Sequence, residues 1–286
     1  MRNSNRPLIG RRGTPKKAES MTLSLEDIAW HRSVGQLIDA LDRPNFWTLL
    51  VRQLEQYLGF DSWVALLFSN EQAPRVFAEC PGADGSPDQL FQDYLKGLYL
   101  LDPFYLASRE QPRTGLYHLA EVAPEDFERT EYYQRYFRLN LVADEVHFNC
   151  QLDGERTLCL SLGARQRFTP SQLALLSLIQ PWVVSLLRQR LAHEPLEQPG
   201  AGTPNPSGNW RSRLEDSLQR LKGTQLTARE LEVGHLMLSG CSSKEIARKL
   251  QISAETVKVH KKHIYGKLSI KSQSELFSIF LQAQNA

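Results

Sequence analysis

The feature that most limits what this chain can fold into is a series of helix starts written into residues 224–286. Thr227 and Glu230 have the spacing of a capping box, in which the hydroxyl accepts a backbone N–H three residues on and the acid reaches back to the first N–H. Leu226 and Leu231 flank it as a hydrophobic staple. Ser242 and Glu245 repeat the box between Cys241 and Ile246. Ser253 is a third N-cap, stapled by Ile252 and Val257, and Ser272 with Glu275 makes a fourth box. Gly240 stands where the first of these helices must stop. The pattern predicts an all-α four-helix domain with helices near 228–239, 243–250, 254–268 and 273–283. Gln251, Ile252 and Ser253 alone join the second and third. A link so short holds two helices at a steep angle, which is helix-turn-helix geometry. Ala247 is small enough to let them approach, and Ile246, Leu250, Ile252, Val257, Ile264 and Leu268 supply a core.

The third helix carries chemistry. Val257, Ile264 and Leu268 recur at near-helical spacing and face inward, which places Lys258, Val259 and Lys262 on the opposite side. A helix lying in the major groove of double-stranded DNA needs donors for base edges and an apolar group for the thymine methyl. Lys258 and Lys262 provide the first and Val259 the second. Lys244, Thr256, Lys261 and Lys267 are placed to position the helix on phosphates. A solvated basic face is the alternative, and the three-residue turn argues against it.

The segment 226–276 resembles the LuxR/NarL-type DNA-binding domain. Glu230, Gly240, Lys244, Glu245, Ile246, Ala247, Leu250, Ser253, Thr256, Val257, His260, Lys267 and Leu268 all fall on that family's pattern. The resemblance implies that Lys258, Val259 and Lys262 contact bases. It also implies that the final helix pairs two copies on inverted half-sites, with Leu276, Ile279 and Phe280 as dimerisation candidates. Two positions depart from the pattern: Gly234 replaces a usual leucine, and Ser269 a frequent glycine.

Upstream, residues 194–209 are rich in proline and glycine and read as a flexible linker. Residues 210–223 follow as a linker helix, with Trp210, Leu214, Leu218 and Leu221 on one stripe. Residues 1–20 hold six Lys/Arg and one acid with almost nothing to bury, so they read as a disordered basic tail or as the product of an upstream start before Met21. The net charge of +2 conceals a division. The C-terminal domain has nine Lys/Arg against five Asp/Glu, which leaves residues 21–223 at −7. A basic nucleic-acid part beside an acidic sensing part fits this split.

Residues 21–193 read as an α/β sensor domain, an antiparallel sheet with flanking helices. Strands are expected at 62–68 and 75–80, helices at 24–40 and 44–58, and a largely helical 87–108 that ends at Asp102–Pro103. A hairpin, 144–152 and 156–162, aligns apolar with apolar positions only if its loop has three residues, Asp153–Gly154–Glu155. That register puts Cys150 and Cys159 on opposite faces and disfavours a disulfide between them. The polar face, with His147, Asn149, Gln151, Thr157, Cys159 and Ser161, is either a solvated surface or one wall of a small-molecule pocket. Tyr94, Tyr99, Asp102, His147 and Asn149 are the candidate pocket residues. The aromatic cluster Tyr132, Tyr133, Tyr136 and Phe137 is either core or a surface for stacking on a ligand.

The tract from EYYQRYF through FTPSQLALLSLIQPWVVSLLRQRL resembles the GAF-like sensor halves of orphan LuxR-type regulators. Asp102–Pro103 resembles the Asp-Pro of acyl-homoserine-lactone receptors, but Gln89 and Asp93 occupy the positions of that family's tryptophan and tyrosine. A small-molecule effector, a protein partner that gates the sensor half, and a quorum signal all remain open.

Phe168–Leu187 is long and uncharged, yet its proline, serine and glutamine content reads as a buried amphipathic helix and not a membrane span. With no export signal, a cytoplasmic location is expected. The four cysteines have no metal-ligand spacing, so no metal and no cofactor are expected. Nucleophile-elbow, phosphate-loop, zinc-protease and dinucleotide motifs are lacking, which argues against an enzyme.

Overall fold

The computed structural model describes residues 25–69, 72–80, 89–139, 143–194 and 225–284. The expectations for the basic tail, for the 210–223 helix and for the linker beyond Glu194 lie outside these residues.

The N-terminal half is built on one five-stranded antiparallel sheet, ordered β2-β1-β5-β4-β3. The strands are β1 (Ser62–Ser69), β2 (Arg75–Glu79), β3 (Gly115–His118), β4 (Asp144–Gln151) and β5 (Arg156–Ala164). The central hairpin takes the three-residue loop that its pattern required. Gln151 pairs with Thr157, Cys150 with Leu158, Phe148 with Leu160 and Val146 with Leu162. Cys150 and Cys159 therefore face opposite ways, and none of the four cysteines is in a disulfide. Strand β3 is absent from the sequence reading: four residues with no clear alternation give too little periodic signal.

One sheet face packs on α1 (Leu25–Asp39), α2 (Phe46–Glu55) and α6 (Pro170–Leu191). Trp63, Ala65, Leu67, Val146, Phe148, Cys150, Leu158, Leu160 and Leu162 meet the apolar stripe of α2 and the buried Leu176, Ile179, Val183, Val184, Leu186 and Leu187 of α6. Helix α6 is long and apolar enough to cross a bilayer, but here that stripe is spent on the sheet. Its start is fixed by a Thr169–Gln172 capping box with Pro170 in the first turn. Its end is tied down by the buried Arg190, whose guanidinium donates to the carbonyls of Leu41 and Arg43 and to Glu194.

The other face is covered by α3 (Gln89–Lys96), a 3₁₀ turn at Leu98–Leu101, α4 (Pro103–Glu110) and, beyond the short α5 (Leu119–Val122), helical turns at Phe127–Arg129 and Tyr133–Phe137. Asp102–Pro103 begins a helix and does not end one. Asp102 is the N-cap of α4, accepting from the Phe104 N–H at 2.8 Å, and Pro103 occupies the first turn, where no N–H is needed.

The C-terminal half is the expected four-helix bundle: α7 (Ala228–Leu238), α8 (Ser243–Leu250), α9 (Ala254–Leu268) and α10 (Gln273–Gln284). Each end lies within a residue of the capping chemistry that predicted it. Both sides of the Thr227/Glu230 box close, at 3.2 and 2.8 Å, as do both sides of the Ser242/Glu245 box, at 3.2 and 2.7 Å. Ser253 accepts from the Thr256 N–H at 3.0 Å and Ser272 from the Glu275 N–H at 3.2 Å.

The two family departures are visible locally. A Cβ on Gly234 would make only ordinary contact, 3.9 Å from Ile264 Cδ1 and 4.0 Å from Leu276 Cδ2. Ser269 holds a left-handed backbone at φ 53° at the end of α9. Gly234→Ala should therefore stabilise the chain by about 1 kcal/mol through helix propensity. Ser269→Gly should add a smaller gain by relieving the left-handed serine. Urea midpoints of the two variants check this, and a fall in either would contradict it.

Candidate nucleic-acid interface and sensor core

Helix α9 is positioned by its two neighbours. The α8–α9 turn passes through a left-handed Gln251, and the Ile252 N–H returns to the Ala247 carbonyl at 3.0 Å. Val257, Ile264 and Leu268 are fully buried beneath the helix. On its outer side Val259 is 49% exposed, unusual for a branched apolar residue, and Lys258 and Lys262 are exposed beside it. Lys258 reaches only the equally exposed Glu255, at 3.0 Å. Such a surface pair is worth little and yields readily to a stronger acceptor.

The phosphate candidates divide. Lys244 and Thr256 are exposed, Thr256 with its hydroxyl 2.8 Å from that of Ser253. Lys267 is also exposed, and it donates to the buried Glu230 at 2.7 Å, closing α9 onto the start of α7. Lys261 is half-buried. Burial holds its amine below the usual lysine range, although the Asp126 carboxylate opposes that shift. The proposed dimerisation residues Leu276, Ile279 and Phe280 are 6, 5 and 1% exposed. Within the single chain they lie in the core. Sequence periodicity marks an apolar stripe without saying what covers it.

Lys261 is covered because the two halves touch. The Asp126 N–H donates to the Gly240 carbonyl at 3.0 Å, and the Glu125 N–H faces the Glu245 carboxylate at 3.4 Å. His235 Nε2 bonds the Leu100 carbonyl at 2.8 Å, Lys249 pairs with Glu110, and Ser274 with Glu131. One continuous apolar cluster runs from Leu98, Leu101 and Phe127 to Leu236, Leu238 and Cys241. None of this pairing has a local sequence signal.

The structure brings the five pocket candidates together and buries them. Tyr94, Tyr99, Asp102, His147 and Asn149 are 5, 7, 6, 2 and 1% exposed. The polar sheet face is thus interior, lidded by α4 and by the aromatic turns. Tyr132 and Tyr136 belong to that lid: Tyr94 stacks on Tyr136 with centroids 5.7 Å apart, and Tyr132 lies 5.3 Å from the same ring. Asp102 is committed on both oxygens, to the Phe104 N–H and to the Tyr94 hydroxyl at 2.7 Å. Burial, then the nearby Glu145, raise its pKa to about 6. His147 stacks flat on Phe104 at 3.8 Å and bonds Glu145 at 2.8 Å. Burial of its ring opposes protonation, but the Cys159 sulfur and the Glu145 carboxylate more than reverse this and raise its pKa to about 10. No group of three metal-ligating side chains occurs among the described residues.

The raised His147 pKa has a definite sign. The folded state holds a proton that the unfolded chain releases near pH 6.5, so the stabilisation is full below that pH and is lost as pH rises toward 10. His147→Gln should flatten the fall in urea midpoint between pH 6 and pH 9. Parallel curves for the two proteins would contradict this account.

Comparison with known proteins fits both halves. The profile of bacterial regulatory proteins of the LuxR family matches residues 224–280. A putative HTH-type transcriptional regulator in the exeN 3′ region of Aeromonas salmonicida is 34% identical over 184 residues, covering 63% of this chain and 93% of that protein. The chain belongs to the LuxR family. LuxR-family similarity to the nitrate/nitrite response regulator protein NarP of Escherichia coli is 44% over 61 residues, 28% of that protein's length. The crystal structure of the VqsR LBD domain from Pseudomonas aeruginosa is 48% identical, with a TM-score of 0.55, covering 59% of this chain and 99% of that one. As in its LuxR-family relatives, the chain is a DNA-binding regulator carrying an N-terminal sensor domain, and not an enzyme.

Proposed function

We propose that the chain acts in the cytoplasm as a homodimeric regulator, binding promoter DNA through α9 under control of a small molecule held in a GAF-like N-terminal half. The observation that carries this is the outward Lys258, Val259 and Lys262 on a helix whose opposite side is fully buried. Lys258 and Lys262 read base edges, Val259 meets a thymine methyl, and Lys244 and Thr256 lie against phosphates. Lys261 joins them once it is free of the acidic 125–128 loop.

The buried polar floor and aromatic lid have the lining chemistry of a small-molecule site, apolar rings around a few placed polar groups. A homoserine lactone is disfavoured as the ligand because Asp102 already has both oxygens bonded within the chain. Gating by a protein partner is the second reading. It draws on the docked arrangement, in which the outer surface of the sensor half is already used for protein contact.

Mobility shifts on DNA upstream of neighbouring genes test the proposal. Retarded complexes that survive excess unrelated duplex support it. Equal competition by any duplex counts against sequence readout.

A further inference from the structure

A separate space opens at the end of the sheet, where β3 and β4 meet the loop that leads into α6. It is a cavity of about 490 Å³, walled on one side by residues 118–129 and on the other by 143–144 and 167–168. That volume falls within the usual range of small-molecule sites. Leu119, Phe127, Tyr133 and Phe168 give it an apolar and largely aromatic lining.

Its polar groups favour one sign of charge. His118 Nε2 lies 2.8 Å from Asp144, whose carboxylate also accepts the Phe168 N–H at 2.9 Å. A proton on Nε2 serves that bond and leaves Nδ1 as an acceptor, without a partner among the described residues. Four carboxylates, Glu125, Asp126, Glu128 and Asp144, line the cavity against two guanidiniums, Arg129 and Arg167. Asp126 meets Arg129 at 3.1 Å and Glu128 meets Arg167 at only 3.9 Å, both pairs in contact with solvent. Such pairs open readily for a stronger partner. An anion would find the two arginines but also the excess of negative charge. A cation gains from that excess, from the His118 acceptor and from the aromatic rings.

The same wall docks the DNA-binding half. The Asp126 N–H bonds the Gly240 carbonyl, and the Asp126 carboxylate offsets the burial of the Lys261 amine. A cation in the cavity and Lys261 therefore draw on the same negative charge.

We propose that the cavity binds a primary amine carried on an apolar body, whose ammonium competes with Lys261 for the acidic 125–128 loop. This goes beyond the reading above, because the site is separate from the lidded core around His147.

The test titrates the full chain with 2-phenylethylamine, and with 2-phenylethanol and 3-phenylpropanoate as the neutral and anionic controls. Thermal midpoints report binding, because a ligand of the native state raises the midpoint. The wild type should bind the amine at least about threefold more tightly than the alcohol, and the carboxylate most weakly. In the Asp126→Asn, Glu128→Gln double variant the preference for the amine should fall to about onefold. Both carboxylates form only solvent-exposed ion pairs with arginine, so the fold is kept. Ala120→Phe, at an exposed position in the wall, keeps the charges but fills the space and should lose the amine. Lys261→Met removes the competing cation and should tighten amine binding about threefold.

The proposal is overturned if the wild type fails to bind the amine or binds the three compounds alike. It is also overturned if the double variant keeps the preference, or if Ala120→Phe binds the amine as the wild type does. Unchanged affinity in Lys261→Met would overturn the competition with Lys261 while leaving the amine site standing.

Discussion

Replacing Lys258 and Lys262 together with alanine is expected to abolish sequence-selective DNA binding while leaving the fold intact. Both side chains are exposed on α9, and neither holds the bundle together. Each base-edge contact is worth about 1–3 kcal/mol of discrimination, so the pair supplies a factor of about thirty or more between the right duplex and a wrong one. Lys244→Ala provides the contrast. A lysine that meets only phosphate should weaken binding to all duplexes alike and lower the salt dependence by about one counterion. Fluorescence anisotropy against specific and scrambled duplexes separates the two patterns. Unchanged selectivity in the double variant, with native circular dichroism, would remove α9 as the reading helix.

Gly240→Ala is expected to have the second large effect, through two separable causes. Gly240 sits at φ +92°, where a side chain is strained, so the end of α7 should lose about 1–2 kcal/mol even within the bundle. The new Cβ would also lie 2.8 Å from Phe127 Cα and 2.9 Å from Thr130 Cγ2, a collision with the backbone of the sensor half. Backbone does not give way as a flexible side chain does, so the domains should separate. The Asp126 amide, bonded to the Gly240 carbonyl in the docked state, is the reporter. Its hydrogen exchange should accelerate sharply in the variant while amides inside α9 stay protected. Continued protection at Asp126 would show that the contact is not a stable part of the fold.

The two halves differ in how much of them the sequence discloses, and the reason is the range of the interactions involved. Helix starts are set by residues three apart, so Thr227 with Glu230 and Ser242 with Glu245 announce themselves, and the bundle follows with its boundaries. The hairpin is nearly as explicit, because alternation on two adjacent strands admits one register. The polar face of that hairpin is different. His147 and Asn149 alternate with Phe148 and Cys150 as residues of a solvated sheet would, and the lid that buries them comes from residues 89–110 and 127–137. Nothing local to the strand reports that cover. The same limit explains Leu276, Ile279 and Phe280, whose stripe could serve a partner or the chain's own core. Lys267 fell on the family pattern and yet spends its charge on Glu230, a pairing 37 residues apart that only the closed bundle reveals.

Selecting duplexes from a random pool with the full protein decides whether α9 reads DNA sequence. The wild type should enrich a recurrent short motif, arranged as two inverted half-sites, and the Lys258→Ala, Lys262→Ala double variant should lose that enrichment. A folded wild-type protein that enriches no motif, or a double variant that enriches the same one, would contradict sequence reading through α9.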